Sequence, residues 1–312
     1  MDEVIVPASA RFAPAKVNLA LHVVGRRDDG YHLLESLVTF DQAAGDMVAA
    51  APRADLSGLA AGDLSDRLTI DGRFAAGLPT GPANILVQAA ALARKEFRRF
   101  GLDLPPLDIR LTKTLPVAAG IGGGSADAAA LLTLLCQDIP GEARNAVFEA
   151  AIRLGADVPM CLDGRPALVS GIGETIRPLA GLPELPLLLV NPGIAVETAT
   201  VFRMLARRDN PPMPEFPSPG LASIDDLVAY LAETRNDLAL AAGSLAPEIE
   251  DVRGRLLAAG ALFARMSGSG ATVYGLFADR ETCAAAARMI AGERPGWWLS
   301  LAQADAEKGT TP

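Results

Sequence analysis

The sequence contains few of the residues that bind metal ions or form disulfides. It has three cysteines, Cys136, Cys161 and Cys283, and two histidines among 312 residues. No cysteine pair has the CxxC spacing of a zinc or redox site, and neither histidine lies at metal-ligand spacing. This excludes a disulfide framework and predicts free thiols that pack as small apolar side chains in a reducing compartment.

Long apolar runs and clusters of positive charge are also missing. No uncharged apolar run approaches the roughly 20 residues that span a bilayer. The N-terminal MDEVIVPASARF lacks the apolar core of a signal peptide. The net charge of −9 argues against a protein that neutralises nucleic-acid phosphates with lysine and arginine. We expect a cytoplasmic protein that binds a small molecule, and neither a nucleic acid nor a membrane.

Aromatic residues make up only 5% of the chain, whereas apolar residues make up 50%. The core must therefore consist mainly of alanine, leucine, valine and isoleucine. The chain exceeds the ~100–150 residues of a typical domain, which favours two lobes or one large unit. Strand pairs, such as KVNLALHV and YHLLESLVTF around the turn GRRDDG, alternate with helical segments and indicate the α+β class.

Residues 115–132, LPVAAGIGGGSADAAALL, place a glycine-rich segment directly before a run of helix formers. The glycines tolerate positive φ and let a ligand approach the backbone. The pattern predicts a helix from about Ser125 to Cys136, whose first amides have no partner within the helix. Such amides and the helix dipole bind anions, most often phosphate. Taken alone, the stretch is also compatible with a purely structural turn.

This stretch differs from other phosphate-binding motifs. Walker A requires a lysine after the last glycine, where Ser125 stands, and Ser125 also replaces the third glycine of GxGxxG. The HRD and DFG signatures of protein kinases are absent. The sequence therefore argues against a P-loop protein, a dinucleotide oxidoreductase and a protein kinase.

As a whole, LPVAAGIGGGSADAAALL resembles the second motif of the GHMP small-molecule kinases, in which this loop wraps the ATP phosphates. PAKVNLAL near the N-terminus agrees with the family pattern, and MSGSGATVYGLF near the C-terminus resembles its third motif. The resemblance covers residues 11–305. It implies a two-lobe α+β fold, with a lobe similar to ribosomal protein S5 domain 2 over residues 10–174 and a ferredoxin-like lobe over 175–305.

Two further blocks resemble the members that act on a cytidine-diphosphate-linked alcohol. These blocks are GRRDDGYHLLES and LGADVPMCLDGRPALVSGIGE. The resemblance implies ATP-dependent phosphorylation of the 2-hydroxyl of a cytidine-diphosphate-linked methylerythritol, in the non-mevalonate pathway to isoprenoids. A family member for another alcohol, such as homoserine or mevalonate, is the alternative, but it has no reason to carry GYH in the first hairpin.

The resemblance assigns the catalytic roles to Asp157 and Lys16. An alcohol is a poor nucleophile, and a positioned base contributes ~10²–10⁴ to the rate. Asp157 matches the family's catalytic aspartate, although by position alone it would be a turn residue at a helix end. Lys16 matches the catalytic lysine; a nearby cation keeps a carboxylate ionised and stabilises the transferred phosphoryl group. Asn18 lies on the same strand face and is expected to bind the substrate.

The cytidine pocket is expected to form around the first hairpin. Tyr31 and His32 match the pair that selects the base, and Thr198 and Phe202 match further positions of that pocket. Glu197 departs from the pattern, in which a small residue is expected before the threonine. His22 is expected to be a structural histidine.

The resemblance also assigns an ATP site, with Mg²⁺ as the second cofactor. The expected ATP-binding residues are Asn84, Pro116, Gly120, Gly122, Gly123, Gly124 and Ser125. Ser125 is in addition a candidate Mg²⁺ ligand, and no other metal ligand is assigned. Gln88 and Ala126 depart from residues common in the family. Asp127 either complements the helix dipole or has a metal-related role.

Two alternatives concern activity and assembly. A nucleotide-sensing or interaction protein on the same fold would have no need of both Lys16 and Asp157, so turnover is expected. The chain is expected to be a monomer or a homodimer.

Overall fold

The computed structural model describes residues 9–54 and 65–300, and it confirms the α+β class with two separate sheets. The predicted end of the second lobe at residue 305 and part of the N-terminal segment MDEVIVPASARF lie outside these residues. The strands are β1 Ser9–Arg26, β2 His32–Pro52, β3 Arg67–Asp71, β4 Leu107–Thr112, β5 Ala167–Gly171, β6 Thr175–Pro178, β7 Leu187–Asn191, β8 Phe263–Met266, β9 Val273–Leu276 and β10 Trp298–Leu299. The helices are α1 Ile85–Arg98, α2 Gly123–Leu135, α3 Gly141–Ala150, α4 Val158–Asp163, α5 Thr198–Arg203, α6 Ile224–Ala232, α7 Ala239–Leu245, α8 Glu248–Ala258 and α9 Arg280–Glu293.

The described chain forms two compact units, and each combines several segments. The first unit consists of the residues up to Ala15, together with Gly45–Leu115 and Gly123–Gly164. The second consists of Lys16–Ala44, Pro116–Gly122 and the residues from Arg165 onward. Both β1 and β2 therefore pass from one unit into the other.

In the first unit, β4 is the central strand. It pairs in parallel with β3 and antiparallel with the C-terminal half of β2. Leu107, Ile109 and Leu111 alternate along β4 and are buried in a core that includes α1 and α2. Because α2 is apolar around nearly its whole circumference, it lies in the interior of this unit and not on its surface.

In the second unit, one sheet has the order β10-β7-β9-β8 and is antiparallel throughout. Every residue of β7 is buried. The N-terminal half of β2 pairs with β5, and β5 pairs with β6. The predicted hairpin is also confirmed, because β1 ends at Arg26, β2 begins at His32 and the two strands pair.

Some element boundaries differ from those the sequence predicts. Asn84 is the N-cap of α1, since its side chain accepts a hydrogen bond from the Leu86 N–H at 2.9 Å. However, α2 begins at Gly123 and not at Ser125, because the first turn of a helix requires helical φ and ψ but few internal hydrogen bonds. Asp127 is thus the fifth residue of α2 and lies beyond the first turn. No helix of the described residues is both long and apolar enough to cross a bilayer.

A partly buried ion pair joins segments of the first unit and predicts an effect on stability. Asp66 accepts hydrogen bonds from Arg94 at 2.7 and 3.1 Å and from the Leu107 N–H at 2.9 Å. We expect Asp66→Ala to lower the free energy of unfolding by about 2 kcal/mol, because the Leu107 N–H and the Arg94 guanidinium lose a charged acceptor while Arg94 keeps the Leu104 and Pro105 carbonyls. Urea unfolding followed by circular dichroism measures the change.

The exposed pair Arg67–Asp108 provides the control for this prediction. Its side chains are 54% and 36% exposed, and solvent screens their attraction. Asp108→Ala should therefore cost less than about 1 kcal/mol. Equal losses for the two variants would contradict the role assigned to burial.

Candidate active site

The glycine-rich segment forms an open loop that leads into α2. Its backbone has positive φ at Ala118 (51°), Gly120 (73°) and Gly122 (62°). Positive φ is uncommon for a residue with a Cβ, so the loop holds Ala118 in a conformation that alanine rarely adopts. The Ala118 carbonyl accepts a hydrogen bond from the Val196 N–H at 3.2 Å, which fixes this part of the loop.

A second glycine loop, Ser267–Gly270, packs directly against the first. The Ser267 Oγ donates to the Gly120 carbonyl at 2.9 Å. A Cβ added to Gly120 would lie 2.3 Å from the Ser267 carbonyl oxygen, and one added to Gly268 would lie 2.6 Å from the Gly120 carbonyl oxygen. Glycine is thus required at both positions because the two backbones are in contact.

The start of α2 lies beside two other segments of the first unit. A Cβ on Gly124 would contact Ile85 at 3.9 Å, which places this glycine next to the start of α1. A Cβ on Gly155 would lie 3.9 Å from the Ser125 Oγ. Ser125 is therefore next to the turn that carries Asp157, two residues after Gly155.

Asp157 is held by a rigid turn immediately before α4. The Val158 N–H donates to the Gly155 carbonyl at 3.1 Å, and Val158 is fully buried. A proline in the first turn of α4 restricts the backbone further. The turn therefore holds the Asp157 main chain in one conformation.

Lys16 and Asn18 are both 5% exposed on β1 and contact each other. The Lys16 Nζ donates to the Asn18 Oδ1 at 2.8 Å, which places both side chains on one face of the strand, as the period-2 pattern predicts. The Asn18 Nδ2 donates to the Ser36 Oγ at 2.7 Å. With both ends of its amide engaged in this way, Asn18 orients the Lys16 ammonium.

The main chain of β1 connects this pair to both glycine loops. The Lys16 N–H donates to the Ile121 carbonyl at 2.9 Å, and the Asn18 N–H donates to the Ser267 Oγ at 3.0 Å. The position of Lys16 is thus fixed relative to the loop over residues 116–122.

An aromatic pair lies at the end of the first hairpin. The rings of His32 and Phe202 stack with centroids 4.9 Å apart and an interplanar angle of 19°. Burial, and then the charges of Arg208 and Arg26, lower the pKa of His32. Its ring is therefore mainly neutral at pH 7, and it can both donate and accept a hydrogen bond. Tyr31 is 61% exposed in the adjacent turn.

The remaining predicted residues of this pocket lie at the start of α5. The Thr198 and Ser269 hydroxyl oxygens are 2.7 Å apart, which connects Thr198 to the second glycine loop. Glu197 accepts a hydrogen bond from the Thr200 Oγ1 at 2.5 Å. The side chain of this unexpected glutamate thus interacts with the outer surface of its own helix.

Asn84 and His22 both have structural hydrogen bonds. Besides capping α1, Asn84 donates from its Nδ2 to the Pro79 carbonyl at 2.7 Å. Gln88 donates to the Pro82 carbonyl at 3.1 Å. The Nε2 of His22 accepts from the Arg235 N–H at 3.0 Å, as expected for a structural histidine.

Comparison with known proteins places these motifs in a family. The family model "GHMP kinases N terminal domain" matches residues 84–165, and "GHMP kinases C terminal" matches residues 213–294. A protein of Brucella melitensis biotype 1 named 4-diphosphocytidyl-2-C-methyl-D-erythritol kinase is 48% identical over 94% of each chain. The chain belongs to the GHMP kinases. A Paracoccus denitrificans protein of the same name is 50% identical over 92% of this chain and 94% of its own.

A solved GHMP kinase structure agrees with the sequence relatives. It is described as a crystal structure of 4-(cytidine 5'-diphospho)-2C-methyl-D-erythritol kinase, and it superimposes with a TM-score of 0.70 at 32% identity. The match covers 93% of this chain and 98% of the other. The GHMP kinase fold predicted from the motifs is therefore confirmed.

A buried charge cluster lies next to the start of α2 in this GHMP kinase, and the sequence motifs do not predict it. The Lys113 Nζ lies 2.6 Å from the Asp46 Oδ2 and 2.6 Å from the Asp127 Oδ2. Burial opposes the charge of Lys113, but Asp127 and Asp46 raise the pKa of this lysine. Burial also raises the pKa of Asp127 to about 7. The only signal of this cluster in the sequence is a lysine 14 residues before an aspartate, and this spacing alone does not predict a contact.

The contact between the two glycine loops gives a prediction. We expect Gly120→Ala to reduce turnover by at least tenfold, because the new Cβ would push the Ser267–Gly270 backbone away. Steady-state kinetics of the purified variant measures the effect.

Gly193→Ala is the matched control, since Gly193 belongs to the same unit and has φ 83° but no atom within 4 Å of an added Cβ. It carries the backbone strain without the clash and should retain most of the activity. An equal loss in both variants would show that strain at positive φ, and not loop contact, causes the effect.

Proposed function

We propose that this protein is an ATP-dependent kinase that phosphorylates the 2-hydroxyl of 4-diphosphocytidyl-2-C-methyl-D-erythritol in the non-mevalonate isoprenoid pathway. The observation that carries the proposal is the 48% identity, over 94% of both chains, with a protein of that kinase name. A kinase for homoserine or mevalonate is not favoured, because the GYH block and the aromatic pair His32 and Phe202 have no purpose in it.

ATP is assigned to the glycine loop and the start of α2. The first amides of α2 lack partners within the helix and, together with its dipole, favour phosphate. The assigned residues are Pro116, Gly120, Gly122, Gly123, Gly124 and Ser125. Asn84 would act indirectly, by capping the helix that begins next to Gly124.

Mg²⁺ is proposed as a companion of ATP. The described residues hold no group of three His, Cys, Asp or Glu side chains that could bind a metal ion. Mg²⁺ is commonly held by substrate phosphates and water with few protein ligands. The Ser125 hydroxyl would be one ligand, and the bound ion would neutralise phosphate charge.

Asp157 is assigned the role of general base for the alcohol, and Lys16 that of the cation that stabilises the phosphoryl group. Phosphoryl transfer depends on positioning and charge neutralisation more than on covalent chemistry. The rigid turn before α4 and the hydrogen bond from Lys16 to Asn18 support these assignments, since each restricts the residue it holds.

The cytidine is assigned to Tyr31, His32, Thr198 and Phe202, with Asn18 as a further substrate contact. A neutral His32 can pair with the hydrogen-bonding edge of a base, and aromatic rings stack on base faces. The exposed Tyr31 ring lies next to the stacked pair in sequence and is available to a ligand.

The lobe boundaries, the compartment and the assembly are part of the same proposal. We assign the ATP-binding lobe to residues 10–174 and the substrate-side lobe to residues 175–305; this division of the sequence does not coincide with the two compact units, which are discontinuous. We also propose a cytoplasmic location and a monomeric or homodimeric state, to be checked by fractionation and by light scattering.

The substrate assignment predicts which alcohol is turned over. Purified protein with ATP and Mg²⁺ should phosphorylate 4-diphosphocytidyl-2-C-methyl-D-erythritol and leave 2-C-methyl-D-erythritol unchanged. Phe202→Ala should raise the KM of the full substrate at least about fivefold, because stacking on a base contributes ~1–3 kcal/mol. The KM of ATP should not change. Turnover of homoserine or mevalonate in place of the cytidine compound would overturn the assignment.

The general-base assignment predicts a loss confined to kcat. Asp157→Asn should lower kcat by at least ~10², since a positioned base contributes ~10²–10⁴. The variant should bind ATP normally in calorimetry. Asp163→Asn, at the other end of α4, serves as the control and should keep its activity. A folded Asp157→Asn variant with near-native kcat would exclude Asp157 as the base.

A further inference from the structure

We infer that Lys113, Asp46 and Asp127 act together as positioning residues that hold the first residues of α2 in place for the ATP phosphates. The inference rests on the proposed function in one respect, which is that ATP is the phosphate ligand. None of the three residues has an assigned role in the reaction.

The three side chains come from three different elements of the first unit. Lys113 directly follows β4, Asp46 lies within β2, and Asp127 is the fifth residue of α2. The side chains are at most 5% exposed, and each Nζ to Oδ2 distance is 2.6 Å. One ammonium group thus ties the start of α2 to two neighbouring strands.

The same cluster holds the chain that leads into the glycine loop. The Asp46 Oδ1 accepts from the N–H of Thr114 at 2.6 Å and of Leu115 at 2.9 Å. The Lys113 N–H donates to the Asp71 carbonyl at 2.7 Å. The backbone before the loop is therefore fixed by the carboxylate that also binds the lysine.

The first residue of α2 lies immediately next to the ammonium. A Cβ on Gly123 would be 3.1 Å from the Lys113 Nζ and 3.6 Å from the Asp46 Oδ2. Gly123 is thus in contact with the cluster through its backbone. A shift of the lysine would move the amides of Gly123 and Gly124, which are the phosphate donors of the proposed site.

The cluster is not arranged for stability alone. Among the described residues, the Asp127 Oδ1 is buried without a hydrogen-bond partner, which is costly in an interior. Well-packed apolar side chains often stabilise a protein as much as buried charges do, or more. By contrast, the side chain of Asp66 satisfies both Arg94 and the Leu107 N–H. The need to hold the start of α2 in position explains why charged side chains, and not apolar ones, form this cluster.

Asp127→Leu and Asp127→Asn test the inference by calorimetric titration with ATP in the absence of any alcohol. Asp127→Leu frees α2 from Lys113, and we expect its Kd for ATP to rise at least tenfold. Asp127→Asn keeps an acceptor for the lysine, and its Kd should rise by a smaller factor of at least three. The KM of the alcohol should stay within twofold in both variants.

Asp66→Asn is the matched control, since it also removes a carboxylate from a cation in the same unit. Asp66 contacts α1 and β4 and has no hydrogen bond to α2 among those that the structure describes. This substitution should lower the Tm and leave the Kd for ATP unchanged. If Asp127→Leu does not fold, Asp127→Asn decides the question.

The inference is overturned if both Asp127 variants bind ATP with wild-type affinity. If only Asp127→Asn folds, wild-type affinity in that variant overturns it. The cluster would then be purely structural. A wild-type protein that binds ATP but does not phosphorylate the cytidine compound would overturn the proposed substrate only. A wild-type protein that does not bind ATP would overturn both.

Discussion

The contact between two glycine backbones is the constraint on which the second unit depends. Gly120 and the Ser267–Gly270 loop approach so closely that a side chain on either backbone would overlap the other. Other segments attach to this contact by main-chain hydrogen bonds. The Lys16 N–H donates to the Ile121 carbonyl, the Asn18 N–H to the Ser267 hydroxyl, and the Val196 N–H to the Ala118 carbonyl. The loop geometry is thereby determined by tertiary contacts and not by glycine preferences alone.

Polar groups inside β1 show a second constraint. Lys16, Asn18 and His22 are buried in a strand whose other buried residues are apolar, and burial of polar groups is unfavourable unless each has a partner. The strand carbonyls are also used, since the Tyr274 hydroxyl and the Arg265 guanidinium both donate to the Leu19 carbonyl. This dense pairing holds β1 rigidly, and a rigid strand is a better support for a reacting group than a loop.

Local signals predicted much of the secondary structure. Asn84 is a regular N-cap residue and Gly101 a regular stop residue, and α1 lies between them, because a cap and a stop depend on neighbouring residues only. The helix α7 was missed, although Pro247 two residues after its end is a regular stop signal. The predicted start of α2 is two residues too late. Glycine has a low helix propensity, which argued against Gly123 and Gly124 as helical residues, but the first turn of a helix needs few internal hydrogen bonds and tolerates them.

Long-range partners could not be predicted in the same way. Lys113 lies 67 residues from Asp46, and nothing in either segment indicates that strand pairing brings them together. The motifs Lys16, Asp157 and Tyr31–His32 were recognised by family resemblance. The side-chain partner of Asn18, Ser36, and the main-chain partner of His22, Arg235, were not predicted, since a serine or an arginine alone carries little information.

The path of the chain through the two compact units has a consequence for dissecting the molecule. Since β1 and β2 each contribute to both units and the glycine loop returns from the second unit to the first, neither unit corresponds to one continuous stretch of sequence. No single truncation or proteolytic cut releases an intact half, so an excised fragment would carry unpaired strand segments.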